Sequence, residues 1–476
     1  MTTYQRLSVA DQIFLDMESP EAHMHVAGCF LFDARPLRGE HGGIDFERIE
    51  RYFASRLYKL PRYRQRIHRI PVEGDPIWVD DPTFNLHYHL RHTQLPPPGD
   101  ERQLKRLCGR IVSQALDRGK PLWEMWVVDG VEGDRVAVVT KVHHCLTDGV
   151  GGVELLATLL TPEPLKTFEP APPFLPRRAP ERSELIRDAV ARRMTLPGTL
   201  ARGLLRAARH PIDTADGIGS TLQALREANE LSMSSASETP INGPIGAHRR
   251  FDWLALELGA IKAIKNRAGA TVNDVCLAIA TGAFRHFLER RGLTPRELGE
   301  LDFRAACPVN VREEKENGGL GNRVANLFVR LPIGEADPVA RLAEIHETME
   351  TLKSSGQRDA MGVVERAAEL THPSLMTFMA RQTLERNSTN FVLTNVPGPR
   401  APWYLLEGQL LETYPVVPLI KGHGVDIALM SYCGGLYWGF CADWELVPDL
   451  HDLVLATREA FEELGTVTRP AESSAD

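Results

Sequence analysis

No window of this chain approaches 18 uninterrupted apolar residues, so the composition offers no membrane-spanning helix. The opening Met1-Thr2-Thr3-Tyr4-Gln5-Arg6 runs into a polar, acidic, helix-like stretch with no apolar leader core, and the expectation is a cytoplasmic chain. Seven cysteines (Cys29, Cys108, Cys145, Cys276, Cys307, Cys433, Cys441) are scattered and form no CxxC pair. That excludes a disulfide framework and a cysteine zinc site, and it fits a reducing compartment. GxSxG, Walker, GxGxxG and HExxH patterns are all missing, which removes the serine-hydrolase elbow, the P-loop, the dinucleotide fingerprint and the zincin helix. Positive charge is also short: 55 Lys and Arg stand against 63 Asp and Glu, a net −8, and nucleic acid is not an expected partner.

What is present is a globular chain of 476 residues, 43% hydrophobic and 25% charged, long enough for two large domains. Short apolar runs alternate with amphipathic stretches, predicting an α/β (mixed α+β) fold. Three segments follow from composition. Residues 1–160 form a first half. Residues 161–248 form a linker, crowded with Pro170, Pro172, Pro173 and Pro176, then basic and amphipathic from Arg182 to His210 with a break at Pro197-Gly198. Residues 249–476 form the second half. The basic stretch has two readings, a helix pair on the protein's own surface or an arginine-and-leucine face lying in a membrane interface. In the second half, Thr271-Val272-Asn273-Asp274 predicts a capping box and a helix reaching a stop near Gly292. Cys433-Gly434-Gly435 between Val425–Tyr432 and Leu436–Cys441 predicts a hairpin.

The sharpest chemical feature is Arg135 to Val142 followed by His143-His144-Cys145-Leu146-Thr147-Asp148-Gly149. Period two along a strand turns His143 and His144 to opposite faces, so one of them serves any given site. A histidine held rigidly at a strand end suits general-base chemistry, because its pKa lies near working pH. The rival readings are a satisfied core histidine, with Asp148 capping the next helix, and a metal site using His143, His144 and Asp148. Opposed faces make joint ligation awkward, and His87-Tyr88-His89, read as two histidines on one strand face, has nothing beside it to complete a ligand set. No metal and no cofactor are therefore expected. Cys145 is read as packing.

His143 to Gly149 resembles the HHxxxDG motif of acyltransferases related to chloramphenicol acetyltransferase and to peptide condensation domains. Pro121-Leu122-Trp123, Asn273-Asp274 and Thr394-Asn395-Val396-Pro397-Gly398-Pro399 are similar, in order and spacing, to blocks of the bacterial wax ester synthase/diacylglycerol acyltransferase family. Leu7 to Asp11, Met24-His25-Val26, Leu320-Gly321-Asn322 and Ser431-Tyr432 extend the likeness over nearly the whole chain. The chain departs from the family's frequent pattern at Cys145, Gly151 and Val425-Asp426, positions that bear on pocket lining.

The resemblance implies two chloramphenicol-acetyltransferase-like halves with mixed sheets and a substrate tunnel between them. It implies His144 as general base, acyl-CoA as substrate, a fatty alcohol or diacylglycerol as acceptor, and no acyl-enzyme. Asp148 would fix the turn by pairing with a buried arginine such as Arg304 or Arg312. Asn273 stands between two roles, oxyanion donor or helix cap. His143, Gly149, Trp123, Asn395, Pro397 and Gly398 are the positions it puts near substrate, with Trp123 read as scaffold and Asn395 to Pro399 as a rigid turn. Apolar products imply contact with a membrane or lipid droplet. The competing functions are an acyltransferase fed by a carrier protein, a non-catalytic lipid-surface protein and, from His143 and Asp148 alone, a glycerol-phosphate acyltransferase, whose other blocks do not match.

Overall fold

The computed structural model describes residues 4–71, 74–146, 156–191, 234–310, 324–354 and 387–467. In the first half come β1 (Gln5–Arg6), α1 (Val9–Met17), β2 (His25–Asp33), α2 (Phe46–Arg56), β3 (Gln65–Arg69) and β4 (Pro76–Asp80). They are followed by α3 (Leu86–His89), β5 (Leu90–Gln94), α4 (Glu101–Val112), β6 (Trp123–Val131) and β7 (Arg135–His143). The second half supplies β8 (Asn242–Gly243), β9 (Arg249–Glu257), α5 (Leu258–Ala268), α6 (Val272–Arg290), α7 (Pro295–Glu300), β10 (Phe303–Asn310) and β11 (Val324–Leu331). Then come α8 (Pro338–Ser354), β12 (Phe391–Pro397), β13 (Tyr404–Leu405), β14 (Gly408–Val416), β15 (Gly422–His423), β16 (Val425–Tyr432), β17 (Gly435–Asp443) and α9 (Leu450–Val467).

Two six-stranded mixed sheets carry the fold, ordered β13-β14-β2-β7-β6-β5 and β11-β10-β12-β16-β17-β9. In the first, β5 runs parallel to β6 and the other pairs are antiparallel; in the second, β12 runs parallel to both β10 and β16. The second half of the chain is not confined to its own sheet. β14 crosses over and pairs with β2, setting Tyr414 opposite Cys29.

β7 shows why the first sheet is rigid. Its even residues Val136, Val138 and Val142 enter one apolar cluster, while Ala137 and Val139 enter another shared with Phe251, Trp253 and Tyr414 of the second half. With both faces covered, a β-branched run is the stable choice. The second sheet is backed by α6, whose capping box forms as predicted: Thr271 Oγ1 accepts from the Asp274 N–H and Asp274 Oδ2 accepts from the Thr271 N–H. Phe284 of this helix packs against Phe303 and Phe391, with ring centroids 5.5 and 4.4 Å away. The hairpin also forms, Tyr432 facing Gly435 across a two-residue loop, Cys433-Gly434, both with positive φ.

The proline-rich run after Leu160 straps the first lobe. Phe168 lies edge-on to Tyr52, and Arg177 donates to both oxygens of Asp80 at 2.8 and 3.0 Å, lowering that carboxyl to about 2 against its burial. Residues 182–191 are helical and bury Leu185 and Ala189 against Ile70, Ile77 and Val79. This part of the basic segment covers the protein's own surface; Pro197-Gly198 and the rest of it lie outside the described residues. One expectation is corrected. His87-Tyr88-His89 is a helical turn, not a strand, because Asn85 Oδ1 accepts the His87 N–H and starts the turn. His87 then pairs with Glu50 at the surface, while His89 is buried against Trp123.

Candidate active site

The pairing of β2 with β7 places His25 directly opposite His143 at the open end of the ladder. Both are buried. His143 Nδ1 accepts the Cys145 N–H at 3.1 Å, so the neutral ring carries its proton on Nε2. That nitrogen points to Glu18 Oε2 at 3.7 Å, and His25 Nε2 lies 3.4 Å from Glu18 Oε1. Glu18 is the residue after α1, and Arg118 Nε donates to its Oε2 at 2.8 Å. Burial pushes this carboxyl upward, but the facing imidazoles of His143 and His25 and the Arg118 guanidinium outweigh it and hold it well below the ordinary carboxylate range. A carboxyl biased toward its charged form therefore sits beside the histidine pair.

His144 has left the strand. Its N–H donates to the Met24 carbonyl at 2.7 Å, and its half-buried ring stacks on Phe14 with centroids 3.8 Å apart and planes 14° apart. Helix α1 thus serves both histidines, Phe14 backing His144 and the helix end delivering Glu18 to His143. Strand period two predicts opposed rings; β7 instead ends at His143, and the turn that follows separates the buried histidine from the half-buried one. Cys145 is buried, and burial pushes its thiol well up, which keeps it protonated and unreactive.

Buried His25 makes stability acid-sensitive. Burial pushes His25 down to about 4, with Glu18 working in the opposite direction. Between roughly pH 6.5 and 4 the unfolded chain takes up a proton that the folded chain refuses, so this contribution is full above pH 6.5 and is lost as pH falls toward 4. The expected loss is about 3 kcal/mol over that window. Urea denaturation at stepped pH measures it, and a flat midpoint between pH 7 and 4.5 rejects it.

The other predicted positions divide. Trp123 is scaffold: its indole N–H donates to the Tyr63 carbonyl at 2.8 Å, and its own carbonyl accepts from His89 Nδ1 at 2.8 Å. Asn273 is the second residue of α6, and capping is done by Thr271 and Asp274 instead. Asn395 and Pro397 belong to β12, in register with Leu429 and Ser431 of β16, so the turn begins only after Pro397. The parallel ladder to β16 holds these residues extended. Gly398 is required for closeness, not for a positive φ. A Cβ there would stand 2.2 Å from the Ser431 carbonyl oxygen, part of β16. Gly398→Ala is expected to cost about 2 kcal/mol, read as a lower urea midpoint; an unchanged midpoint contradicts the close approach. Arg304 is buried and bound to Asp302 and Ser234. Asp148, Gly149, Gly151 and Arg312 lie outside the described residues.

Glu18, His23, Arg118 and Lys141 were not singled out from sequence, and no local pattern marks them. Lys141, on β7, is fully buried; its Nζ donates to the carbonyls of Ile111 and Gln114 at 3.0 and 2.9 Å and lies 3.3 Å from Glu124. It ties the C-terminal end of α4 to the histidine strand.

A two-lobed mixed α/β frame with a half-buried histidine just past one of its inner strands is the architecture of the chloramphenicol-acetyltransferase-like class. Residues 7–276 match the wax ester synthase/diacylglycerol acyltransferase catalytic domain, and residues 320–465 match the WS/DGAT C-terminal domain. The chain belongs to the wax ester synthase/diacylglycerol acyltransferase family. It is 31% identical to a probable diacylglycerol O-acyltransferase, tgs1, of Mycobacterium tuberculosis, over 97% of this chain and 96% of that protein. A putative diacylglycerol O-acyltransferase of the same organism is also 31% identical, over 97% and 90%. Among solved structures, the wax ester synthase/diacylglycerol acyltransferase of Marinobacter aquaeolei superposes with a TM-score of 0.66 at 25% identity, covering 98% of this chain and 100% of that one. The first condensation domain of the CDA synthetase shares the fold, with a TM-score of 0.59 at 14% identity over 98% and 96%.

Proposed function

We propose that this acyltransferase moves a long-chain acyl group from acyl-CoA to the hydroxyl of a fatty alcohol or of diacylglycerol, with His144 as general base. The observation that carries this reading is the placement of His144, anchored through its backbone to the Met24 carbonyl just before β2 and through its ring to Phe14, while its neighbours His143 and Cys145 are buried. The imidazole takes the proton of the acceptor hydroxyl. The oxygen bonds to the thioester carbonyl carbon, the carbon–sulfur bond breaks as the tetrahedral intermediate collapses, and the departing thiolate takes the proton back from the imidazolium. The buried thiol beside it gives no nucleophile, which supports direct transfer without an acyl-enzyme, and no metal or cofactor is assigned a step.

Asn273 is a candidate donor to the oxyanion, since capping does not occupy its amide, and removing one such donor costs on the order of a hundredfold in rate. Asp148 is assigned a positioning role beside His144, and Gly149 a place near substrate. Asn395, Pro397 and Gly398 are assigned to a wall of the acceptor passage between the lobes. Among the described residues no helix is long and apolar enough to cross a membrane. Because the ester product is apolar, its delivery is assigned to peripheral contact with a membrane or lipid droplet, which flotation with lipid vesicles tests.

The decisive experiment uses purified protein with palmitoyl-CoA and either hexadecanol or dipalmitoylglycerol, reading free thiol and the ester product. Acceptor-dependent thiol release matched by ester establishes the reaction and shows which lipid is made. Absence of acceptor-dependent release sinks it, and turnover on an acylated carrier protein then becomes the better reading.

A further inference from the structure

Helix α4 presents Arg102, Arg106 and Arg110 at four-residue spacing, which places them on one face. All three are exposed and line a groove of about 1080 Å³ between α4 and the second lobe. Helix and strand are close enough to form one wall because Gly109 faces β9; a Cβ on it would stand 2.9 Å from the Arg249 carbonyl oxygen.

The charge of this groove runs against that of the chain. Six basic side chains line it against two carboxylates, Glu101 and Asp252, in a protein of net −8. Both carboxylates are engaged with Lys105 at 2.5 Å, and Asp252 also holds His451 at 2.9 Å. Arg102, Arg106 and Arg110 have no acidic partner among the described residues. Across the groove, Arg250 lies 3.8 Å over the ring of Trp444, held there by its Nε donating to the Trp444 carbonyl at 3.0 Å. That indole is 46% exposed, with Arg250 over one of its faces.

Three free guanidinium groups in a row bind several phosphate oxygens, and an exposed indole with an arginine on it binds a base or another flat ring. The concavity suits a small phosphorylated molecule and not the plane of a bilayer. The groove also reaches the buried histidine pair. Ser113, at the end of α4, lines it, and its carbonyl accepts from His23 Nε2 at 3.2 Å; His23 stacks on His25, the cross-strand partner of His143.

We propose that this groove seats the nucleotide end of the acyl-CoA donor, its phosphates on Arg102, Arg106 and Arg110 and its base on the Arg250–Trp444 pair. The assignment rests on the acyl-CoA reading and adds where that donor is held.

Binding is measured on the full chain by calorimetric titration with adenosine 3′,5′-bisphosphate, which lacks the acyl arm and needs no turnover. Arg106→Glu is expected to weaken binding at least about tenfold and Trp444→Ala several-fold, while Arg296→Glu on the remote α7 leaves it unchanged. In steady state, Arg106→Glu raises KM for palmitoyl-CoA by a similar factor and moves KM for the acceptor less than twofold. The substituted side chains are exposed, and thermal melts confirm the fold. Nucleotide binding unaltered by Arg106→Glu overturns the proposal. Loss of binding to phosphatidylserine vesicles with KM for palmitoyl-CoA unaltered also overturns it, in favour of a lipid-facing groove. Nucleotide binding that depends on these arginines in a chain without acceptor-dependent thiol release keeps the groove and rejects the acyltransfer reading instead.

Discussion

His144→Ala is expected to lower acceptor-dependent CoA release by about 10²- to 10⁴-fold, the range that a positioned acid–base group contributes. The fold should survive. The ring is half-buried and its main packing partner is Phe14, so the loss in stability is that of one stacked pair, about 1 kcal/mol. The backbone bond to the Met24 carbonyl is independent of the side chain and remains. The adjacent His143→Ala should show the opposite signature. It removes a fully buried ring from between Glu18 and the Cys145 N–H, leaving a buried carboxylate with one fewer partner, and its first effect is on the melting temperature. Paired measurements of turnover and thermal midpoint separate the two. If His144→Ala keeps more than a tenth of wild-type turnover, or loses activity only in parallel with its fold, the general-base assignment is wrong.

Lys141→Met is expected to destabilise the protein by about 3–5 kcal/mol, the cost of breaking a buried pair from one side. The ammonium is completely enclosed, and burial pushes its pKa down while Glu124 opposes the shift. Its removal leaves the carbonyls of Ile111 and Gln114 without their donor and leaves Glu124 with Arg91, 3.2 Å away. Methionine fills the volume and supplies neither bond. Urea denaturation measures the loss, and the double variant Lys141→Met/Glu124→Leu should recover part of it because the buried carboxylate goes with its cation, while Arg91, 30% exposed, keeps contact with water. A single variant within about 1 kcal/mol of wild type shows that α4 does not depend on this anchor. Because α4 also carries the arginine face of the groove, a loosened anchor should raise KM for palmitoyl-CoA together with the loss of stability.

The parts legible in the sequence were those set by neighbours a few residues apart. The α6 capping box, the Cys433-Gly434 hairpin loop and the irregular proline strap depend on local hydrogen bonds and on fixed φ angles, and each formed as read. Locality also misled. His87-Tyr88-His89 has strand-like alternation, yet the Asn85 side chain closes a helical turn there. Asn395 to Pro399 looks like a turn by composition, yet pairing with β16 holds the chain extended through Pro397. In both places a single competing hydrogen bond or a ladder outweighed residue preference.

By itself the sequence determined the class of the fold and the strand that runs into two histidines, because a β-branched run and its length need no partner to be known. Only the tertiary structure decided which groups meet those histidines. Glu18 and His25 reach His143 across more than a hundred residues, and the register of β2 against β7 that sets them there is chosen by packing on both faces of the sheet. The same holds for β14, which leaves its own half to pair with β2, and for the groove, whose arginines and indole come from residues 102–110, 250 and 444. Such contacts are made by the burial of two apolar surfaces against each other, a free energy of the whole assembly that no short stretch of chain carries.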